Sequence, residues 1–448
     1  MKRDLTTGSV FGCILYFALP FLLSYLLQTL YGMADLFIIG QYCGVDSTTA
    51  VSIGSQVMHM LTVMIVGLAM GATVKIGHAV GGGDRRQADR SIGTSITFFL
   101  LLSVALTAVL LLAVRPIVSI MSTPEAAVDG TIVYLTICFA GVPFITAYNL
   151  ISAIFRGMGD ARSPMWFVAI ACVANIALDL LFIGALGLGP AGAALGTTLS
   201  QALSVVLSVV VIRRRRMIPG LARQDLRPSK PMLGAILRVG VPIAAQDGFI
   251  QISFLLITVF ANLRGLNDAA AVGIVEKLIG FLFLVPSSML STVSALAAQN
   301  IGAGKHDRAR LTLRYALMIT VAYGAVCAVA MQLWAEGAVW LFAKDATVIA
   351  MGGQYMRSYA IDCIFAGIHF CFSGYFCAYG KSWISFLHNV LSVVCLRVPL
   401  SWLAAKYCTD SLFPMGLAAP AGSLLSIVIC LIAFRLMTRR LRAREVGA

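Results

Sequence analysis

The feature that most constrains this sequence is a succession of apolar runs, each long enough to cross a bilayer, separated by breaks too short to hold a soluble domain. Twelve runs fall at roughly 10–40, 49–76, 91–114, 131–153, 164–184, 192–212, 235–262, 270–299, 311–333, 351–376, 383–406 and 416–437. A helical span needs about 20 residues. Clusters of Gly, Pro and charge separate the runs. In lipid every backbone polar group must be satisfied within its own segment or a closed barrel, and runs of this length leave helices. The charged fraction of 12%, against about 25% in a soluble domain, agrees. The predicted fold class is an all-α polytopic membrane protein with twelve transmembrane helices. The basic start before the first run is like a signal peptide, but the run is too long and no small-residue cleavage site follows, so it reads as a retained helix.

The net charge of +14 invites a nucleic-acid partner, but the placement of the charges argues for none. With the N-terminus inside, most of the 33 Lys and Arg residues fall in breaks on the inner side, from Lys2 and Arg3 through Arg156 and Arg162 to the cluster that begins at Arg435. The outer side holds Arg115, Arg264, Lys344 and Lys406. That bias predicts a multi-pass protein of the plasma (inner) membrane with both termini cytoplasmic. The basic run Arg213–Arg216 opens the longest break and reads as an inside-loop anchor, with anionic lipid as an alternative partner. It divides the chain into an N-terminal lobe (1–212), a basic linker (213–234), a C-terminal lobe (235–437) and a basic tail (438–448). The eleven cysteines form no CxxC pair and read as membrane-core packing, without cofactor or disulfide chemistry.

The two lobes repeat. GVDSTTAVSI (44–53) aligns with GLNDAAAVGI (265–274), VGGGDRRQA (80–88) with IGAGKHDRA (301–309), and Phe155/Gly159 with Phe376/Gly380, all at an offset of 221; Pro20 maps to Pro242 with a slip of one. Six spans per lobe make the repeats parallel, related by an axis along the membrane normal. Two pseudo-symmetric six-helix bundles around a central cavity suit an alternating-access carrier.

Within the first run, Pro20 removes a backbone donor and loosens the helix. Asp35 is a costly group at lipid depth and marks a site. At this point a family pattern is legible in YGMADLFIIG, HAVGGGDRRQA (78–88), FRGMGDARSPMW (155–166), NIALDLLFIGALGLGPAGAALGTTLSQ (175–201) and AAQNIGAGKHDRARLTLRYAL (297–317). In this order the motifs resemble the multidrug and toxic compound extrusion (MATE) transporters over almost the whole chain. The resemblance implies export of amphipathic, mostly cationic organic compounds in exchange for Na⁺ or H⁺, by a monomer that needs no cofactor. It implies a cation-coupling cluster of Asp35, Asn149, Asn175, Asp179 and Thr197, with Tyr134 lining the same bundle and Pro20 at the bend of the first helix.

The residues bear on that expectation independently. Asn175 and Asp179 are four apart and share a helix face, and Asp35 and Thr197 lie at a similar depth, with Asn149 somewhat deeper. Two carboxylates with amide and hydroxyl oxygens make a hard-oxygen site suited to Na⁺. Two close carboxylates also resist simultaneous ionisation, so a proton can take the ion's place; the choice between Na⁺ and H⁺ stays open. The plainer reading, interhelical hydrogen bonding, suits the neutral residues better than the acids.

The second lobe does not copy the cluster, since Asp35 falls on Leu256 and Asp179 on Leu400. Asp247, Gln251, Glu276 and Asp362 are candidates for a C-lobe cavity that attracts cations, or for neutralisation by Lys277 and Arg397. A flippase for lipid-linked saccharides or wall precursors is the alternative function. No metal-ligand or Ser/His/Asp spacing at one depth suggests an enzyme.

Overall fold

The computed structural model describes residues 5–214 and 222–446, with backbone alone over 440–446. The expected inner-side residues Lys2, Arg3, Arg215 and Arg216, and the side chains of Arg440, Arg442 and Arg444, lie outside the described residues. Among the described residues there is no strand. Unit 1 is chiefly Leu15–Ala244 with Ala298–Gly304, and unit 2 chiefly Ala245–Ala297 with the chain from Lys305 onward.

The first half of the chain forms α1 (Val10–Tyr42), α2 (Val45–Gly81), α3 (Arg85–Ile120), α4 (Glu125–Ala140), α5 (Val142–Gly157), α6 (Arg162–Asp179) and α7 (Gly189–Arg214). α6 runs on into a π-helical stretch, Leu180–Ala185. The second half forms α8 (Lys230–Arg264), α9 (Leu266–Leu282), α10 (Leu284–Gly302), α11 (His306–Trp340), α12 (Ala346–Ala360), α13 (Asp362–Ala378), α14 (Ser382–Ser392), α15 (Val398–Tyr407), α16 (Phe413–Gly416) and α17 (Ala418–Val446). Eleven helical stretches are long and apolar enough to span a membrane, and the pair α4–α5, bent by 48°, makes the twelfth.

The bend in the fourth span is absent from the sequence-based expectation of one straight run. Gly141 sits at the break, Pro143 occupies the first turn of α5, and a Cβ on Gly141 would lie 2.6 Å from Thr198 Cγ2. A residue without a side chain followed by one without a backbone donor lets the helix break where a neighbour presses on it. The tenth span is likewise divided, between α12 and α13 at Ile361.

Burial follows the bilayer. α3 has a mean hydropathy of 2.7 over its most apolar stretch, of which only 11% is buried; Leu112 on it is 86% exposed. Such a helix is stable only against lipid. Within unit 1, α2 runs through two apolar clusters. Val51, Met58 and Ile65 join one with Ile39, Tyr134 and Phe139, and Ala69, Ala72 and Ile76 join another with Phe99, Phe155 and Phe167. The first half of α8 belongs to unit 1 and crosses α2 with backbones nearly touching. A Cβ on Gly71 would strike the Ile236 carbonyl, and one on Gly240 the Leu68 carbonyl. Small residues permit this approach between membrane helices. In unit 2 the core joins Ile257, Val272, Val275, Tyr355, Tyr359 and Met415.

Candidate functional site

The buried acids of unit 1 come together from α1 and α6. Asp35 is 6% exposed, Asn175 1% and Asp179 0%. Asn175 and Asp179 stand one turn apart on α6, whose regular α-helical geometry ends at Asp179 where the π-helical stretch begins. A π-turn widens the helix and re-aims the side chains beside it. The Asp35 carboxylate interacts with the side chains of Asp179, Thr197 and Asn175. Of these, Thr197 places a donor in hydrogen-bond geometry: its Oγ1 donates to Asp35 Oδ2 at 3.3 Å. Asp35 Oδ1, both carboxylate oxygens of Asp179 and both amide atoms of Asn175 are buried with no hydrogen-bond partner.

That arrangement is an electrostatic deficit. Four carboxylate oxygens share one hydroxyl donor, and buried acceptors without donors are costly. A shared proton or a cation bound by the oxygens would relieve it. Among the described residues no group of three or more His, Cys, Asp or Glu side chains could hold a metal ion. The oxygens present fit a weakly held alkali cation or a proton better than a tightly chelated transition metal.

The other sequence candidates are placed differently. Asn149 is buried on α5, but its Nδ2 donates to the Ile145 carbonyl of its own helix at 2.9 Å. It lines a cleft with Tyr25, Gln28, Tyr148 and Ser152. Tyr134 is 2% exposed, packs its ring against Gly54 and feels the charge of Asp35. Pro20 lies within a continuous α1; Ser24 Oγ donates to its carbonyl at 2.8 Å.

Two residues of unit 1 escaped the sequence reading. Gly196 stands where any Cβ would strike Asp179 Oδ1, so it makes the space the carboxylate fills. Its signal in the sequence is a glycine immediately before Thr197. Arg156, expected among the inner-loop charges, is only 8% exposed.

Unit 2 holds a polar set of mixed sign. Arg397 Nη2 donates to the Tyr359 hydroxyl at 2.7 Å, and its guanidinium lies 4.5 Å from the Phe254 ring centre. Glu276 and Asp362 are its electrostatic neighbours. Thr258 Oγ1 approaches Glu276 Oε2 at 3.5 Å, while Glu276 Oε1 and Asp362 Oδ1 have no partner. Asp247 interacts with Gln246, and Gln251 is half-buried on α8. Lys277 is exposed and makes no ion pair among the described residues. Of the two residues expected to neutralise these acids, Arg397 is the one placed beside Glu276 and Asp362.

The MatE family profile matches residues 20–181 and again 242–403, each copy opening on the proline of its first helix. The chain belongs to the MATE family. It is similar to the probable multidrug resistance protein YoeA of Bacillus subtilis, with 25% identity over 94% of this chain and 92% of that one. It is also similar to the multidrug export protein MepA of Staphylococcus saprophyticus, with 24% identity over 98% and 95%. Its fold matches a solved outward-facing multidrug resistance MATE transporter at a TM-score of 0.92, with 22% identity over 99% of both chains. This MATE protein is thus a multi-pass membrane transporter and not an enzyme. The saccharide-flippase alternative is not favoured by these relatives.

Proposed function

We propose that this MATE protein is a cation-coupled antiporter that exports amphipathic, mostly cationic organic compounds by alternating access, in exchange for Na⁺, H⁺ or both. The observation that carries the reading is the Asp35–Asp179 pair, buried beside Asn175 with one hydroxyl donor. Such a pair has two states of different shape. Charged and empty, its oxygens repel one another; neutralised by a proton or bridged by a cation, they draw α1 and α6 together. Pro20 interrupts the hydrogen-bond ladder of α1 fifteen residues before Asp35 and gives that helix a place to bend. Ion occupancy and the shape of unit 1 are thereby linked, as exchange of a cargo for an ion requires.

In this reading Asn175 and Thr197 supply neutral oxygens to the ion, Asn149 joins it when its amide turns from the Ile145 carbonyl, and Tyr134 closes the apolar wall. Asp247, Gln251, Glu276 and Asp362 attract cationic cargo in unit 2, with Arg397 holding their net charge down. The protein acts as a monomer in the plasma membrane, both termini cytoplasmic. Dye efflux from everted vesicles tests the reading: it should respond to an imposed Na⁺ gradient, a pH gradient or both, and efflux indifferent to both would refute it.

A further inference from the structure

A second buried charge in unit 1 has the opposite sign. Arg156, on the last turn of α5, packs its guanidinium 5.4 Å from the Phe21 ring centre, and its Nη2 is buried without a hydrogen-bond partner. Among the described residues no ion pair involves it. The acid nearest in sequence, Asp160, is committed elsewhere: its Oδ1 accepts from the Arg162 and Ser163 amides, each at 3.0 Å, and its Oδ2 from Ser163 Oγ at 2.7 Å. Arg156 lines the same cleft as Gln28 and Ser152, and Ser152 Oγ is also a buried group without a partner. A buried guanidinium nitrogen without an acceptor is costly, and a ligand that supplies the counter-charge would relieve it. Its planar donors match carboxylate and phosphate oxygens.

We propose that the cleft at Arg156 is a binding site for an oxyanion, the carboxylate or phosphate of an amphipathic molecule, with Ser152 as the second donor and Phe21 as the apolar wall. Its guanidinium end lies away from the acid pair, although the cleft also reaches Asn149. Phe21 and Asp35 are fourteen residues apart on α1, about 21 Å along a helix. A lobe with a guanidinium at one end of a cleft and an acid pair beyond the other can receive amphiphiles that carry a negative group, beyond the cationic class. The inference rests on the export reading only for the direction in which the bound molecule travels.

Titration calorimetry of the purified full-length protein in uncharged detergent tests it, with octyl phosphate as the probe and octylammonium as the control. Wild type should bind octyl phosphate at least tenfold more tightly than octylammonium. R156Q should lose at least tenfold, S152A should lose severalfold, and R156K should retain part of the affinity. Size-exclusion profiles confirm the fold, and S152A and R156K decide should R156Q not survive purification. Repeating the titration in phosphatidylcholine nanodiscs with and without phosphatidylglycerol separates the sources. Competition by the anionic lipid assigns the site to a headgroup, and undiminished binding assigns it to a soluble amphiphile. Equal binding of both probes, or octyl phosphate binding unchanged in R156Q and S152A, would overturn the proposal. Because no transport is read, its failure leaves the antiport reading standing, and the converse.

Discussion

Gly196 on α7 lies so close to Asp179 on α6 that a Cβ in its place would strike the Oδ1 atom. The carboxylate keeps its position because the facing helix carries no side chain there. Gly196→Ala should therefore displace Asp179 from Asp35 while leaving the apolar packing of unit 1 intact. The expected outcome is a fall of about tenfold or more in gradient-driven dye efflux, corresponding to ~1.4 kcal/mol or more, with normal amounts of protein in the membrane. Efflux assays normalised to protein level in the membrane check it.

The Thr197 hydroxyl is the donor that the Asp35 carboxylate has in this structure. Thr197→Val keeps the shape and removes the donor; Thr197→Ser keeps the donor and removes a methyl group. Hydrogen bonds to charged groups contribute about 1.5–3 kcal/mol, and at 3.3 Å this one belongs at the lower end. With the donor gone the ionised carboxylate is less favoured, so the valine variant should need about tenfold less proton for half-maximal pH-driven efflux, and more Na⁺ because a ligand oxygen is lost, while the serine variant should behave close to wild type. A merely structural role for Thr197 predicts the opposite order, since valine fills the space better.

A pair of carboxylates that holds either one proton or one Na⁺ makes the two ions rivals. Lowering the external pH should then raise the Na⁺ concentration for half-maximal stimulation, towards about tenfold per pH unit at the acid end of the titration. Parallel, non-competing responses would indicate two separate sites. Na⁺ titrations of efflux at several fixed pH values distinguish the cases.

Arg264 is read from sequence as an outer-face charge, but its side chain is 4% exposed and pairs with Asp268 at 2.7 Å. It also donates to the backbone carbonyls of Ala404, Cys408, Thr409 and Ser411. It ties the α8–α9 turn to the end of α15. Removing one member of a buried, fully bonded pair costs about 3–5 kcal/mol. Arg264→Ala should lower the thermal unfolding midpoint of the purified protein clearly more than Arg264→Lys does, without changing which ion drives efflux.

What was legible in the sequence was whatever is costly or periodic at lipid depth. The twelve apolar runs could only be helices, and the offset repeat reappears as two matches to one family profile. Asp35 and Asp179 stood out because a carboxylate in such a run needs a reason, and the four-residue spacing put Asn175 on the face of Asp179. Hidden features depend on a partner that the local sequence does not name. Gly196 is one small residue among many in its motif until α6 is laid against it. Asn149 has a polar site and its own Ile145 carbonyl as rival partners, and spacing does not choose between them. Arg156 and Arg264 lie at span ends, where a basic residue reads as a solvated loop charge, and only packing reveals that both are buried. The bend at Gly141 needs the pressure of Thr198 as well as Pro143.

The central claim is that the Asp35–Asp179 pair carries the coupling ion. Gradient-driven dye efflux by Asp35→Asn in everted vesicles, measured beside wild type at matched protein levels, tests it most directly. The amide is nearly the same size as the carboxylate but cannot gain or lose the charge, so efflux should no longer respond to either a Na⁺ or a pH gradient while folded protein persists in the membrane. Efflux that follows the gradients as in wild type would contradict the claim.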